Sequence, residues 1–315
     1  MNSTLTATPD PTVSRFQGAI LRALAYFDIF DHPLTLEEID RFADLRHEDR
    51  TALERDLNAL AAKGLVFDLN GYWSLHNKPE NVQVRINDEE RARTRLPRAR
   101  KMSELIARFP YIRAVFISGS LSKGRLAEDG DIDFFIVTAP GRLWLARTLL
   151  VLYKKIFLLN SRRDFCINYF VDTEHLTIED KNRFTAMEVV TLLPMYGNGT
   201  VDKFYEKNTW AFDHYPRSRP MTSHDLRIGT ARSKKRAERL FNGNLGERLD
   251  SSAMNLTWRF WKWKFSDLDP QTFDLALRTR TYVSKHHPSN FQKRVLDSFS
   301  KRVSTLEQQL KQELN

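Results

Sequence analysis

The chain has 315 residues, of which 41% are hydrophobic and 28% charged, and its formal net charge is +9. This length allows two or three domains with a sizeable core. The single cysteine, Cys166, excludes an intramolecular disulfide and a thiolate zinc cluster. No signal peptide is visible and no apolar stretch is long enough to cross a bilayer, so we expect a cytoplasmic protein without membrane contact.

The first predicted domain spans residues 15–86 and follows a polar lead, residues 1–14, that we expect to be disordered. Apolar residues at helical spacing, a capping box formed by Thr35 and Glu38, and an Asn-Gly turn mark its elements. They predict three helices and a β-hairpin, at about 15–27, 35–43, 49–63 and 65–75. This order is typical of a winged helix-turn-helix module.

The charge of this module argues against sequence-specific DNA binding. Residues 1–86 carry more acidic than basic side chains, whereas a helix that reads a DNA groove brings surplus positive charge to the phosphates. We therefore expect the module to contact a partner protein or a second copy of the chain. A DNA-binding regulator is kept as an alternative.

The most informative stretch, residues 114–137, reads AVFISGSLSKGRLAEDGDIDFFIV. It predicts an apolar strand, a tight turn at Gly119 and Ser120, a short helix, and a second strand that begins with Asp131 and Asp133. Side chains at i and i+2 of a strand share a face, so the two carboxylates could bind divalent metal ions together. Small residues at the turn allow backbone N–H groups to approach a phosphate. This combination predicts phosphoryl or nucleotidyl transfer.

These residues resemble the nucleotidyltransferase superfamily typified by DNA polymerase beta. Its signature is Gly followed by Gly or Ser, a short spacer, and Asp-hydrophobic-Asp/Glu-hydrophobic. The resemblance implies that Asp131 and Asp133 bind Mg²⁺ or Mn²⁺ while a nucleoside triphosphate donates its nucleotidyl group to an acceptor hydroxyl. The acceptor could belong to an RNA end, a protein or a small molecule. The implied nucleotide-binding residues are Gly119, Ser120, Ser122, Lys123 and Arg125.

The resemblance also implies a third carboxylate on the next long strand, where this chain has Asn168. An amide oxygen can bind a metal, but Asn168 cannot act as a base. Asn168 could be a neutral ligand, or Asp164 or Asp172 could replace the third carboxylate, since Asp172 shares the strand face of Asn168 by parity. Alternatively, the chain is a catalytically inactive nucleotide-binding or partner-regulating protein.

The predicted core, residues 87–199, begins at 88–109 with one charged helix or with two helices broken near Pro97. Strands are predicted at 114–118, 131–138 and 165–171, and helices at 141–159 and 178–194. In the helix before the third strand, Leu152, Ile156 and Leu159 are expected to face the core.

Residues 200–315 are predicted to form a helical C-terminal domain, with helices at about 201–212, 226–249, 252–265, 271–286 and 289–313. Trp258, Trp261 and Phe265 are spaced as a core-facing stripe on one of them. The pair at 286–287, two histidines, is interpreted as the exposed end of a helix. The predicted fold class is therefore mixed α+β: a nucleotidyltransferase core, an N-terminal winged helix-turn-helix and a C-terminal helical domain.

Overall fold

The structure is a computed structural model that describes residues 13–161, 163–221 and 232–314. Most of the predicted lead, residues 1–14, lies outside the described residues. The helices are α1 (Arg15–Asp28), α2 (Leu36–Phe42), α3 (Arg50–Ala62), α4 (Glu80–Ala107), α5 (Gly119–Ser122), α6 (Leu143–Phe157), α7 (Arg183–Thr191), α8 (Asn198–Lys207), α9 (Trp210–His214), α10 (Arg232–Leu240), α11 (Asn244–Lys264), α12 (Pro270–Ala276) and α13 (Phe291–Leu310). The strands are β1 (Phe67–Asp68), β2 (Trp73–Ser74), β3 (Ile112–Ser118), β4 (Asp133–Thr138), β5 (Cys166–Asp172), β6 (Leu193–Tyr196), β7 (Thr279–Arg280) and β8 (Val283–Lys285).

The chain divides into two units that do not follow the predicted domain boundaries. One unit comprises residues 1–85, 213–218 and 294–315, and the other comprises residues 86–212 and 219–293. The helices predicted to form one C-terminal domain are shared between these two units, and the domain boundaries remain a prediction.

The first unit contains the three N-terminal helices and the hairpin expected from the sequence. The capping box of α2 is present, with Thr35 and Glu38 each bonding the other's backbone. Strands β1 and β2 pair antiparallel around the Asn-Gly turn. That these elements form a winged helix remains a prediction.

Helix α13 completes this first unit. Its Arg302 Nε donates to Asp28 Oδ2 at 2.7 Å, and its Phe299 ring lies 6.1 Å from that of Tyr26 on α1. Near the chain end, Gln312 exchanges hydrogen bonds with the backbone of Val13. The C-terminal helix therefore packs on the first predicted helix, a pairing that no local sequence pattern indicates.

The second unit is built on a six-stranded mixed sheet with the order β6-β3-β4-β5-β8-β7. The central pair β4 and β5 is parallel, as the intervening helix α6 requires, and the other pairs are antiparallel. The helix predicted over 271–286 is wrong beyond Ala276, because residues 279–285 form two strands and β8 pairs with β5. Strand β6, which begins inside the helix predicted over 178–194 and extends beyond it, was also missed.

Pro97 lies inside the continuous helix α4, which selects the single helix of the two alternatives. Two further local expectations fail. On α6, Leu152 and Ile156 are exposed, and Leu159, beyond the end of the helix, is 90% accessible. On α11, Trp261 is buried, but Trp258 is exposed.

Helical spacing locates an apolar face without saying what covers it.

Across the three described ranges, no helix has the length and apolar character needed to cross a bilayer.

Candidate active site

A tight turn brings the ends of β3 and β4 together. Ser118, the last residue of β3, pairs with Asp133, the first residue of β4. Gly119 follows with φ +69°, a left-handed conformation that strains other residues. A Cβ there would collide with the carboxylate of Asp133 and lie 3.2 Å from its Cγ. The turn therefore requires glycine for two reasons: its left-handed backbone conformation and the close approach of the Asp133 carboxylate to that backbone.

A short chain of hydrogen bonds fixes this carboxylate from the side of β5. The Asn168 amide donates through Nδ2 to Asp133 Oδ1 at 2.8 Å. The amide oxygen of Asn168 accepts from the Cys166 thiol at 3.2 Å. Asn168 therefore neighbours Asp133, and here it acts as a donor to that carboxylate.

Strand β5 is irregular at this point. Phe134 pairs with Ile167 and Phe135 pairs with Tyr169, so Asn168 is an extra residue without a partner on β4. Asn168 and Tyr169 both line one cavity, whereas Ile167 and Phe170 both lie in the hydrophobic core.

The bulge reverses the alternation of side chains beyond Asn168. Asp172 therefore shares the face of Phe170, and the parity expectation is wrong. The carboxylate of Asp172 accepts from the backbone N–H groups of Glu174 and His175 at 2.9 Å each, and it also bonds the His175 ring. Asp164, the other flanking acid, pairs with Arg98 at 3.1 Å.

A cavity of about 370 Å³ lies beside the turn and entirely within the second unit. Most of its wall is apolar or aromatic, including Phe135 and Phe204. The polar or titratable side chains of its lining are Ser118, Ser120, Asp133, Asn168, Tyr169, Asp180, Thr185, Glu188, Lys285, His287, Ser289, Asn290 and Gln292. A cleft whose surface is mostly apolar and which also presents polar groups is the usual form of a small-molecule site.

The environment of Asp133 disfavours its charged form. Burial raises the pKa of this carboxyl to about 7, and the negative charges of Glu188 and Asp131 act in the same direction. The neighbouring Cys166 side chain and the charge of Lys123 oppose the rise. The metal-free site thus holds more negative charge than its protein surroundings compensate.

Lys123 lies behind the turn, paired with an acid that sequence reasoning missed. Its Nζ donates to the carbonyl oxygen of Gly119 at 3.0 Å and to Glu188 Oε1 at 2.7 Å. Glu188, on α7, lines the cavity that Asp133 also lines. The predicted phosphate-binding lysine is therefore committed to an ion pair in this structure.

The other predicted residues lie at different distances from the cavity. Ser120 is part of its lining. Ser122 is buried and donates through Oγ to the Gly119 carbonyl at 2.9 Å. Arg125 is partly buried and lies outside the lining. Asp131 precedes β4 instead of beginning it, and it also lies outside the lining while contributing to the field at Asp133.

Two residues of the cavity lining, Asp180 and Lys285, belong to a buried ion cluster. Lys285, at the end of β8, donates through Nζ to Asp180 Oδ2 and to Gln292 Oε1, each at 2.9 Å. Arg278 donates to Asp180 Oδ1 at 2.9 Å. Burial alone would raise the pKa of Asp180, but the two cations lower it below its usual value.

The two histidines after β8 have different surroundings, and neither ends a helix. The His286 ring lies 5.0 Å from that of Trp261, and its backbone N–H donates to the carbonyl of Asn168 at 2.9 Å. His287 lines the cavity. Burial and the neighbouring charge of Lys285 lower the pKa of the His287 ring to about 4, so the ring is neutral at pH 7.

The donor chemistry of the site fits a magnesium ion. Asp131 and Asp133 offer the hard carboxylate oxygens that Mg²⁺ prefers, and a divalent cation would relieve the negative field around Asp133. Within the described ranges, no three His, Cys, Asp or Glu side chains converge on one metal position. Mg²⁺ commonly takes one or two carboxylates and completes its shell with waters and substrate phosphates. The two aspartates therefore suit a site shared with a phosphate ligand.

Residues 99–188 match the family model of the nucleotidyltransferase domain. The chain contains a nucleotidyltransferase domain. The resemblance drawn from Gly119, Ser120, Asp131 and Asp133 is thereby confirmed at the level of the family. None of the curated proteins and none of the solved structures compared with the chain matches it.

The matched segment ends at Glu188, so the lining residues that come later in the sequence, including Lys285 and His287, lie outside it. Glu188 has no sequence signal of its own, because a single acid on a predicted helix is usually a solvated side chain. Lys285 and His287 were hidden by the wrong helix prediction over 271–286. The β-branched Thr279 and Val283 in that stretch were the available signal for a strand.

Proposed function

We propose that this nucleotidyltransferase domain moves a nucleoside monophosphate from a nucleoside triphosphate to an acceptor hydroxyl, with Asp131 and Asp133 binding Mg²⁺ or Mn²⁺. The observation that carries the proposal is the contact between the Gly119 turn and the Asp133 carboxylate beside the cavity. A phosphate approaching the backbone of the turn would lie next to the carboxylate that holds its metal.

Each of these residues has a role that follows from its position. Small side chains at Gly119 and Ser120 leave room for phosphate oxygens, and the Ser120 hydroxyl can donate a hydrogen bond to one of them. Asn168 orients the Asp133 carboxylate by holding Oδ1, which leaves Oδ2 directed toward the turn. When bound, the divalent ion would polarise the phosphate and neutralise developing charge. Ser122 and Lys123 support the turn through the Gly119 carbonyl.

The test is a search for the acceptor. The protein is incubated with each α-labelled nucleoside triphosphate, Mg²⁺ or Mn²⁺, and total cell extract, and the labelled product is sorted into RNA, protein and small molecules. We expect label transfer that disappears in the double variant Asp131→Ala, Asp133→Ala. Binding of nucleotide without transfer in any fraction would contradict the proposal and favour the inactive nucleotide-binding alternative.

The inactive nucleotide-binding alternative rests on Asn168, and replacing this residue tests its role. In Asn168→Asp a second carboxylate would lie about where Nδ2 now contacts Asp133, and like charges this close repel. We expect the metal-free variant to melt at a lower temperature than Asn168→Ala at pH 8. We expect Mg²⁺ to raise its melting temperature more than that of the parent protein. An equal Mg²⁺ response in the two proteins would show that position 168 does not face the metal.

A further inference from the structure

The proposed reaction requires a group that accepts a proton, and the following inference rests on that proposed function. A hydroxyl oxygen that attacks phosphorus must lose its proton during the reaction, and a positioned base accelerates this step. Asn168, at the centre of β5, has no basic atom. The other titratable groups that line the cavity are therefore the candidates.

The three carboxylates of the lining are already engaged. Asp133 is held by Asn168 and by the turn, and it is the proposed metal ligand. Glu188 is paired with Lys123 at 2.7 Å. Asp180 is bonded to two cations of the buried ion cluster, each at 2.9 Å. A carboxylate that neutralises a buried cation would leave that cation unpaired on taking up a proton, which is costly.

His287 differs from these groups in both its contacts and its charge. Its backbone is fixed, because its N–H donates to the Ala276 carbonyl at 2.8 Å and the preceding N–H donates to Asn168. Among the described residues, no hydrogen bond or ion pair of its ring is found, and the ring lines the cavity. Burial lowers the pKa of the ring to about 4 and keeps it neutral, with a lone pair available.

We propose that His287 is the general base for the acceptor hydroxyl. A ring nitrogen of His287 takes the hydroxyl proton as the acceptor oxygen forms its bond to the α-phosphorus. The bond from that phosphorus to the bridging oxygen breaks, and its electron pair leaves with pyrophosphate. The imidazolium that forms lies in the fields of Lys285, whose positive charge opposes protonation, and of Glu188, whose negative charge favours the protonated ring.

Neighbouring histidines provide a matched pair of variants. His287→Ala removes the base and leaves a space of about one imidazole, whereas His286→Ala removes a ring that packs against Trp261 outside the cavity lining. Label transfer is measured with the triphosphate and extract fraction that serve the parent protein. Binding of the same triphosphate with Mn²⁺ is measured separately by equilibrium dialysis.

We expect His287→Ala to lower the transfer rate by about 100-fold or more while binding changes by less than about threefold. Added imidazole should restore part of the rate in His287→Ala. We expect His286→Ala to transfer normally, and we expect added imidazole to leave its rate unchanged. A third variant, His287→Gln, keeps the side-chain volume and should be inactive without rescue, because the space for imidazole is filled.

Two results would overturn the inference, and they differ from failure of the proposed function. Normal transfer by His287→Gln or His287→Ala shows that another group takes the proton. Loss of activity in His287→Ala that imidazole leaves unchanged, together with weakened nucleotide binding, shows a structural role. Absence of transfer by the parent protein removes the proposed function itself, and the inference falls with it.

Discussion

Asp133→Asn is expected to abolish nucleotidyl transfer and to stabilise the metal-free protein above neutral pH. The loss of activity follows from removing a charged metal ligand, for which we expect a fall of at least about 100-fold. The gain in stability follows from burial: a neutral amide at this position avoids the penalty that raises the pKa of Asp133 to about 7.

The pH dependence of this gain has a definite sign. In the folded protein the carboxyl holds its proton up to about pH 7, whereas in the unfolded chain it loses the proton near its usual pKa of 3.8. The folded parent protein therefore loses stability as the pH rises between these values. Asp133→Asn does not lose stability in this way. Its free energy of unfolding should therefore exceed that of the parent protein by an amount that grows across this range and reaches about 2–4 kcal/mol above pH 7.

Denaturant unfolding at pH 5 and pH 8, with a chelator present, measures this difference. Asp129→Asn is the control, because Asp129 is exposed on the same loop and the change should alter neither stability nor transfer. A stability difference that is the same at both pH values would contradict the buried, charge-disfavouring environment inferred for Asp133.

The second large effect is expected at the turn, where Gly119→Ala should remove activity and destabilise the second unit. One other glycine of this region, Gly124, shares its backbone conformation but not its surroundings. Gly124 has a similar backbone, with φ +73°, but no atom lies within 4 Å of the position its Cβ would take. The alanine variants of Gly119 and Gly124 therefore carry a similar backbone strain of about 1 kcal/mol, and only the first adds a collision with Asp133.

Melting temperatures and transfer rates of the two variants separate strain from collision. We expect Gly124→Ala to keep its transfer rate within about threefold of the parent protein. Gly119→Ala should lose at least about 100-fold, because the Asp133 carboxylate must move to admit a methyl group. Similar activity in the two variants would mean that the contact between the turn and the carboxylate is unimportant for function.

Part of the site could be predicted because it is local in sequence. Ser118 and Asp133 belong to adjacent antiparallel strands joined by a short connection, so the residue types of one stretch specify the turn, the pairing and the carboxylate. The helix after β4 and the strand β5 could also be predicted, because two parallel strands such as β4 and β5 must be joined by a crossover connection.

Other features depended on contacts that no local pattern encodes. The bulge at Asn168 lies on a strand paired with β4 on one side and β8 on the other, and it places Asp172 on the face opposite to the one that parity predicted. The exposure of Trp258 on α11 likewise depends on which neighbour covers each face of the helix.

The sequence by itself determined the family, the glycine turn and the aspartate beside it, since these depend on backbone conformation and strand alternation over a short span. Only the tertiary structure decided what surrounds that aspartate. Glu188 lies on a helix, Lys285 ends a strand more than a hundred residues further along the chain, and His287 follows that strand. Glu188 acts on Asp133, and both Glu188 and Lys285 act on His287, through space and to an extent that depends on burial. The order of residues along the chain specifies neither.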